Sequence, residues 1–351
     1  MKVVLFINFI AVLLALGARN GRVQFMTISQ LILSLFYGLR YDYGNDYWNY
    51  YDIFLQCSSN VDPEIIEPGW GVINLICQPV GFMGMIFFVT LFEYYVIYKH
   101  IKIYVPQRYW WLAVLVFSFT FNFQLLGCSM MRQFLSMVIL LYSIKYIVSR
   151  ELIKFVIVTA IASSIHKTAL VFLPIYFLGG KVYDIRDTKS IIIGIVVFLY
   201  LLLLSTKYIE YFQVAGAIFD DEKFNRYLEG DGSSYSFTIL FDILWLILLM
   251  RTCPSQKSKN VICLISIISY VLLPFIFDVV MLLRLMLFFS FFFIFSIPNM
   301  FNSLKRPLLR YGFLCVYIFL MLKRSLASMG GETYGEFYNT FQTIFSAPKW
   351  I

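Results

Sequence analysis

Residues 190–205 read SIIIGIVVFLYLLLLS, an apolar run without a charged side chain. An α-helix of this length rises about 24 Å at 1.5 Å per residue, close to the roughly 30 Å hydrocarbon core of a bilayer. Similar apolar runs recur along the whole chain and leave no stretch for a separate water-soluble domain. The sequence therefore predicts a membrane protein built from spanning helices.

The composition supports this prediction and excludes a soluble enzyme. The 351 residues are 60% hydrophobic and 19% aromatic, and only 14% are charged, against roughly 25% in soluble domains. The net charge of +8 does not indicate nucleic acid, because Lys and Arg occur in small clusters between apolar runs. Six cysteines, most of them inside apolar runs, indicate free thiols and not a disulfide scaffold.

We predict an all-α, polytopic integral membrane protein with about 10–12 transmembrane helices, one of them re-entrant or broken, in a single membrane domain over residues 1–351. Cytoplasmic loops collect Lys and Arg, so counting basic residues assigns each loop a side. Outer loops then fall at about 39–78 and 206–234, with the C-terminal tail at about 326–351 also outside. The run after Lys2 allows a signal peptide as an alternative. The predicted spans are 3–17, 23–38, 79–98, 109–126, 132–148, 190–205, 235–250, 260–277, 284–298 and 311–325.

The stretch 152–178 has basic clusters at both ends, which requires an even number of crossings from too few residues for two full spans. A re-entrant pair that turns at His166-Lys167 resolves this conflict. Non-helical backbone at membrane depth is tolerated only where protein or a water-filled cavity surrounds it. The alternative is one long tilted helix that ends near Pro174.

No nucleotide-binding, zinc-protease or serine-hydrolase motif occurs in the chain. There are two histidines, and we place His100 in a solvated basic loop. The acidic run at 220–222 has the oxygen ligands that a divalent cation prefers, although such runs are more often solvated faces. We therefore predict neither a metal site nor a cofactor.

Two arginines lie at the outer ends of predicted spans. Arg132 opens one span, and Arg284 has apolar neighbours on both sides. A charge in hydrocarbon costs at least ~2.5–3.5 kcal/mol, which makes each a candidate functional residue. The alternative for both is a side chain that reaches back to the membrane surface.

The first outer loop begins with RYDYGNDYWNYY at residues 40–51, where aromatic rings alternate with acids and amides. Such residues bind sugars, whose C–H faces stack on rings and whose hydroxyls bond to carboxylates. An interfacial aromatic belt also explains the rings, but it does not explain the acids. If the segment were helical, Asp42 and Asp46 would share one face.

Several short motifs, taken together in their order and spacing, resemble the EpsG group of Wzy-type polysaccharide polymerases. The resemblance covers about residues 30–300. Its motifs are Gly44-x-Asp46-Tyr47, Arg132-Gln133, His166 ahead of Leu173-Pro174, and Arg284 in a Phe-rich span that ends near Pro298.

The resemblance implies a glycosyltransferase of GT-C-like architecture in the bacterial cell inner membrane. Such an O-antigen polymerase moves a glycan from undecaprenyl diphosphate onto the non-reducing end of another lipid-linked repeat unit at the periplasmic face. The implied partners are the lipid-linked donor and acceptor and the lipid bilayer, with room for a chain-length regulator. No cofactor and no nucleic acid is implied.

This chemistry makes two demands on the residues. The diphosphate leaving group needs fixed cations, for which Arg is better suited than Lys. The acceptor hydroxyl needs a base, either His166, because imidazole titrates near neutral pH, or Asp46. We expect catalytic roles for Arg132, His166, Arg284 and Asp46, and substrate-binding roles for Arg40, Asp42, Tyr47, Gln133, Lys167 and Arg226.

Two other functions use similar surfaces. A flippase or transporter for lipid-linked sugars would also expose cations and aromatic rings, but such proteins often carry internal repeats, and we find none. An O-antigen ligase shares the chemistry and differs in its acceptor. Only the family resemblance favours the polymerase over the ligase.

Overall fold

The computed structural model of the chain describes residues 2–57, 66–120, 122–219, 239–275, 280–329 and 340–346. Nearly all of these residues are helical, which confirms the prediction of an all-α protein. The α-helices are α1 Lys2–Gly17, α2 Val23–Gly38, α3 Tyr47–Cys57, α4 Pro68–Cys77, α5 Gly81–Tyr104, α6 Trp110–Phe119, α7 Phe123–Ser129, α8 Met131–Leu140, α9 Ser143–Ser149, α10 Leu152–Ile165, α11 Thr188–Phe219, α12 Ile239–Arg251, α13 Lys257–Leu272, α14 Val280–Ser290, α15 Phe293–Ser303 and α16 Pro307–Met329. The 3-10 helices are Ala18–Asn20, Gln78–Val80, Gln107–Tyr109, Lys167–Leu178, Leu273–Phe275 and Ile344–Ser346.

Two short strands pair within the described residues. Strand β1, Arg40–Tyr41, runs antiparallel to β2, Gln342–Thr343, with Arg40 opposite Thr343. Next to this pair, the rings of Phe36 and Phe341 stack with centroids 4.0 Å apart. The segment 340–346 is therefore attached to the chain immediately before residues 42–46, which we call the acidic loop.

Helix length and hydropathy support a multi-pass membrane protein. Within the described residues three helical stretches are long and apolar enough to cross a membrane, and up to five are if each of two bent pairs forms one span. Three shorter apolar helices, Lys2–Gly17, Val23–Gly38 and Thr188–Leu204, coincide with predicted spans. The predicted number of 10–12 spans stays a prediction. The GT-C-like architecture stays a prediction. The three long stretches are Pro68–Tyr104, Met131–Ser149 and Lys257–Phe275.

The chain divides into two compact units. The first comprises residues 1–146, 151–173 and 304–351, and the second comprises 147–150 and 174–303. In the first unit α1 packs against α2 and α6, α2 packs against α5, and α10 packs against α4 and α8. Its core is rich in buried rings, among them Tyr37, Trp70 and Phe117. The second unit packs α13 against α12, α14 and α15, and Ser266 donates a 2.8 Å hydrogen bond to Ser296 across two of these helices.

The stretch 152–178 is interrupted where the sequence predicted. Helix α10 ends at Ile165, and His166 has extended backbone angles (φ −152°, ψ 111°) before the 3-10 helix begins at Lys167. This break places the polar His166 outside regular helix. The re-entrant path of the chain beyond it stays a prediction.

One sequence expectation is wrong. His100 is not solvated: it lies in α5 with 3% of its surface exposed, and its Nδ1 lies 2.7 Å from the Val96 carbonyl oxygen. The condition under which Asp42 and Asp46 would share a helical face is not met, because α3 begins only at Tyr47 and Asp42 has a left-handed backbone (φ 46°). The apolar run through 81–104 continues as helix past its basic residues, which is why His100 is carried into the core.

Candidate active site

The candidate site begins with α8 and α10 of the first unit, which lie side by side. The Ser136 hydroxyl on α8 donates a 2.8 Å hydrogen bond to the Ala162 carbonyl on α10. Arg132 lies in the first turn of α8, and His166 follows the last turn of α10. The packing of these two helices therefore brings the two residues to the same region of the unit.

A third element, the start of α4, packs closely onto α10. Pro68 occupies the first turn of α4, where its missing N–H leaves no hydrogen bond unmade. A Cβ placed on Gly69 would lie 2.8 Å from the carbonyl carbon and oxygen of Ser164, so only glycine allows this approach. The close contact places Glu67, immediately before the helix, beside the end of α10.

Glu67 joins Arg132 and His166 in one cluster. Arg132 Nη1 donates a hydrogen bond to Glu67 Oε2, and His166 Nδ1 lies 3.5 Å from the other carboxylate oxygen, Oε1. The latter is an ion-pair distance, longer than an ordinary N–H···O hydrogen bond. The three side chains are 26%, 12% and 16% exposed for Arg132, Glu67 and His166. We call them the Arg–Glu–His cluster.

The electrostatics of the cluster keep Glu67 ionised. Burial raises the pKa of Glu67, but the neighbouring His166 ring and the charge of Arg132 lower it more, from 4.5 to about 2. Tyr50 on α3 adds an aromatic face, with its ring centroid 5.8 Å from the Arg132 guanidinium carbon. At neutral pH the cluster thus presents a fixed carboxylate and a fixed guanidinium.

Some polar atoms of the cluster lack a protein partner. Arg132 Nε and His166 Nε2 are buried and form no hydrogen bond with any residue that the structure describes. A buried polar atom without a partner costs about 1–3 kcal/mol. Such atoms mark where a polar ligand would be stabilised, which is the arrangement needed to hold an anion next to a proton acceptor.

The acidic loop packs onto the chain just ahead of Arg132. Gly44 has φ +115°, which favours glycine. A Cβ there would also lie 2.6 Å from the Cys128 carbonyl oxygen, so there is no space for a side chain. The Asn45 N–H donates a 3.0 Å hydrogen bond to Ser129 Oγ. Asp46, the other predicted base, follows directly, and its carboxylate accepts a weak 3.5 Å contact from Asn49.

The other predicted substrate-binding residues of the first unit have different surroundings. Arg40 is 2% exposed and donates to the Tyr37 carbonyl and the Thr90 hydroxyl, which favours a structural role. Tyr47 and Gln133 are also buried, at 1% and 2%. Asp42 is exposed and accepts a 2.7 Å hydrogen bond from Trp48 Nε1. Lys167 is exposed beside His166.

Three further predicted positions lie elsewhere. Arg284 is half-buried in α14 of the second unit. Beyond it, the helical segments 282–290 and 293–303 meet at a bend of 48°. Arg226 and the acidic run 220–222 lie outside the described residues. Among the described residues no group of three His, Cys, Asp or Glu side chains is placed to hold a metal ion.

Glu67 is not among the residues that the sequence indicates as functional. The available signal was local: Glu67-Pro68 marks the start of a helix, because proline is favoured in the first turn. That signal places Glu67 at a helix end but does not reveal its partners, which are 65 and 99 residues further along the chain.

The spanning helices and the Arg–Glu–His cluster define a class, namely multi-pass α-helical membrane proteins with a half-buried site that pairs a cation with a histidine. The model of the EpsG family matches residues 23–340. The chain therefore belongs to the EpsG family, which is associated with Wzy-like polymerases. No curated protein and no solved structure matches it.

Proposed function

We propose that this protein is a Wzy-type polysaccharide polymerase that extends a glycan on undecaprenyl diphosphate at the outer face of the inner membrane. The observation that carries the proposal is the Arg–Glu–His cluster in a membrane chain of the EpsG family. It supplies a fixed cation for a diphosphate and a histidine for a hydroxyl, which are the two groups that this transfer requires. The GT-C-like architecture is part of the same proposal.

In the proposed reaction, His166 Nε2 removes the proton from the acceptor hydroxyl of one lipid-linked repeat. The hydroxyl oxygen attacks the anomeric carbon of the donor glycan and forms the new glycosidic bond. The bond from that carbon to the diphosphate breaks, and undecaprenyl diphosphate leaves with the electron pair. The proton on His166 then passes to water, which restores the base.

Arg132 stabilises the leaving diphosphate in this scheme. Its Nη1 is bound to Glu67, whereas its buried Nε has no partner in the described part of the chain. The planar guanidinium retains its charge and donates in fixed directions, so a phosphate oxygen can bind without reorganisation of the site. For Arg284 a catalytic role stays a proposal that rests on its sequence position, as a charge between apolar residues.

His166 is preferred to Asp46 as the base. The His166 nitrogens are buried without hydrogen bonds to the described residues, and the ring is held beside a carboxylate. Asp46 already faces Asn49 and lies in the turn that leads into α3. A base needs an atom that is available to accept the substrate proton. Among the described residues His166 Nε2 has no hydrogen-bond partner, whereas the Asp46 carboxylate has one.

The lipid-linked sugar in the site would contact the aromatic residues of α3, where Tyr50 and Trp48 lie near the cluster and the acidic loop. The partners proposed are therefore the donor and acceptor glycolipids and the bilayer, with a chain-length regulator as a further protein partner. The reaction as proposed takes place at the periplasmic surface.

The test is deletion of the gene followed by gel analysis of the extracted surface polysaccharide. A polymerase predicts that polymer is replaced by a single-repeat band, restored by the wild-type gene. Loss of lipid-linked repeats from the outer face would instead indicate a flippase. Full-length polymer that remains lipid-linked and fails to reach its final acceptor would indicate a ligase.

A further inference from the structure

The orientation of the His166 ring is not fixed by its own helix. His166 lies beyond the last turn of α10 with an extended backbone. Its backbone N–H donates a 3.0 Å hydrogen bond to the Ala162 carbonyl, but this bond does not orient the ring. The side chain therefore depends on its neighbours for direction. Glu67 Oε1, 3.5 Å from Nδ1, is the charged group that faces it.

Glu67 is itself held in place from two sides. Arg132 binds the carboxylate through Oε2, which leaves Oε1 directed at the histidine. The contact of Gly69 with Ser164 fixes the backbone of α4 against α10. A carboxylate with one oxygen bound and its backbone packed has little freedom to turn away from the ring.

We propose that Glu67 is the positioning residue for His166: its carboxylate keeps the proton on Nδ1 and so leaves the Nε2 lone pair directed at the substrate. An imidazole nitrogen beside a carboxylate oxygen carries the hydrogen, and the other nitrogen then acts as acceptor. The negative charge also stabilises the imidazolium that forms when the proton is taken. This inference rests on the proposed role of His166 as the base.

Besides Glu67, charged or titratable groups near His166 come from three elements. Arg132 comes from α8, Tyr50 lies behind Arg132 on α3, and Lys167 follows in the chain. All three remain when Glu67 is changed to Gln, so the substitution removes one negative charge and leaves the rest of the surroundings. A fall in kcat would then report the loss of that single charge.

The experiment measures kcat and KM for a lipid-linked repeat with the purified full chain, as wild type, Glu67→Gln and His166→Gln. Glu67→Gln should lower kcat by up to about 10⁴-fold, the loss expected when the carboxylate behind a catalytic histidine becomes an amide. KM should stay near the wild-type value, because Glu67 acts through His166 and not on the substrate. Glu151→Gln is the matched control, since Glu151 is bound to Lys154 at the start of α10, and it should behave as wild type.

The outcomes separate the two proposals. If His166→Gln retains wild-type turnover, the base assignment is wrong, and the role of Glu67 falls with it. If His166→Gln is inactive but Glu67→Gln has the wild-type kcat, the inference alone is overturned. Should Glu67→Gln fail to fold, Glu67→Asp is measured instead: a carboxylate one methylene shorter should lower turnover about tenfold, and wild-type turnover would refute the positioning role.

Discussion

Gly69 at the start of α4 packs directly against the backbone of Ser164, and this contact sets the distance between Glu67 and His166. A Cβ on Gly69 would contact Ser164 Oγ, which can rotate away, and would lie 2.8 Å from the Ser164 carbonyl carbon and oxygen, which cannot. The site therefore depends on a residue that itself has no functional group.

Gly69→Ala should force α4 away from α10 and separate Glu67 from His166. We expect a loss of about 1–3 kcal/mol in stability, typical of overpacking, together with a fall in turnover. Thermal unfolding and a polymerisation assay would measure the two effects. Gly312→Ala is the matched control, because a Cβ at Gly312 in α16 meets nothing within 4 Å. Wild-type behaviour of Gly69→Ala would contradict the packing argument.

Arg132→Lys should reduce polymer length severely, with turnover falling about 10²-fold, while protein abundance stays near normal. Lys keeps the charge but cannot bind Glu67 and a phosphate oxygen at once in fixed directions. The readout is the polysaccharide gel together with the membrane level of the protein. Arg186→Lys, at an exposed pair with Asp184, serves as the control and should be silent. Normal polymer with Arg132→Lys would indicate a membrane anchor in place of a diphosphate ligand.

The low pKa of Glu67 predicts how stability depends on pH. Because folding lowers this pKa from 4.5 to about 2, the ionised carboxylate stabilises the folded state. That contribution is fully present above pH 4.5 and is lost as the pH falls towards about 2. The difference in Tm between wild type and Glu67→Gln should therefore shrink across this window. If the difference in Tm stayed constant across this window, Arg132 and His166 would not be lowering the pKa of Glu67.

The side assignment predicts which positions react with an impermeant thiol reagent. Asn49→Cys, exposed in the first outer loop, should be labelled in intact cells, whereas Ser255→Cys, beside the basic cluster at 251–259, should not. The exposed Cys315 and the half-buried Cys77 are replaced beforehand. Labelling of Ser255→Cys before the cells are permeabilised would reverse the assignment of sides.

Much of the fold could be predicted from the sequence, because hydropathy over 15–20 residues is a local signal. The apolar runs at 3–17 and 23–38 coincide closely with α1 and α2, and the interruption at His166 was located by charge counting. The helices α3 and α4 inside the predicted outer loop were not found, since their short amphipathic and aromatic segments resemble an interfacial loop.

The site was harder to predict, because its contacts join distant parts of the chain. Arg132 and His166 were identified individually, as polar residues in apolar surroundings, but their link through Glu67 depends on how α4, α8 and α10 pack. Arg40 is a different case, because its substrate contact stays a prediction. Its position at the start of an aromatic, acidic loop indicated a substrate contact, whereas its hydrogen bonds to Tyr37 and Thr90 place it in the interior.

The most direct test of the central claim uses the purified protein in a bilayer with undecaprenyl diphosphate-linked repeats as donor and acceptor. The wild type should produce a ladder of glycan lengths, with one undecaprenyl diphosphate released for each bond formed. His166→Gln should give neither product, at equal protein level and folding. Repeats that remain single with the wild-type protein, or a ladder formed by His166→Gln at the wild-type rate, would contradict it.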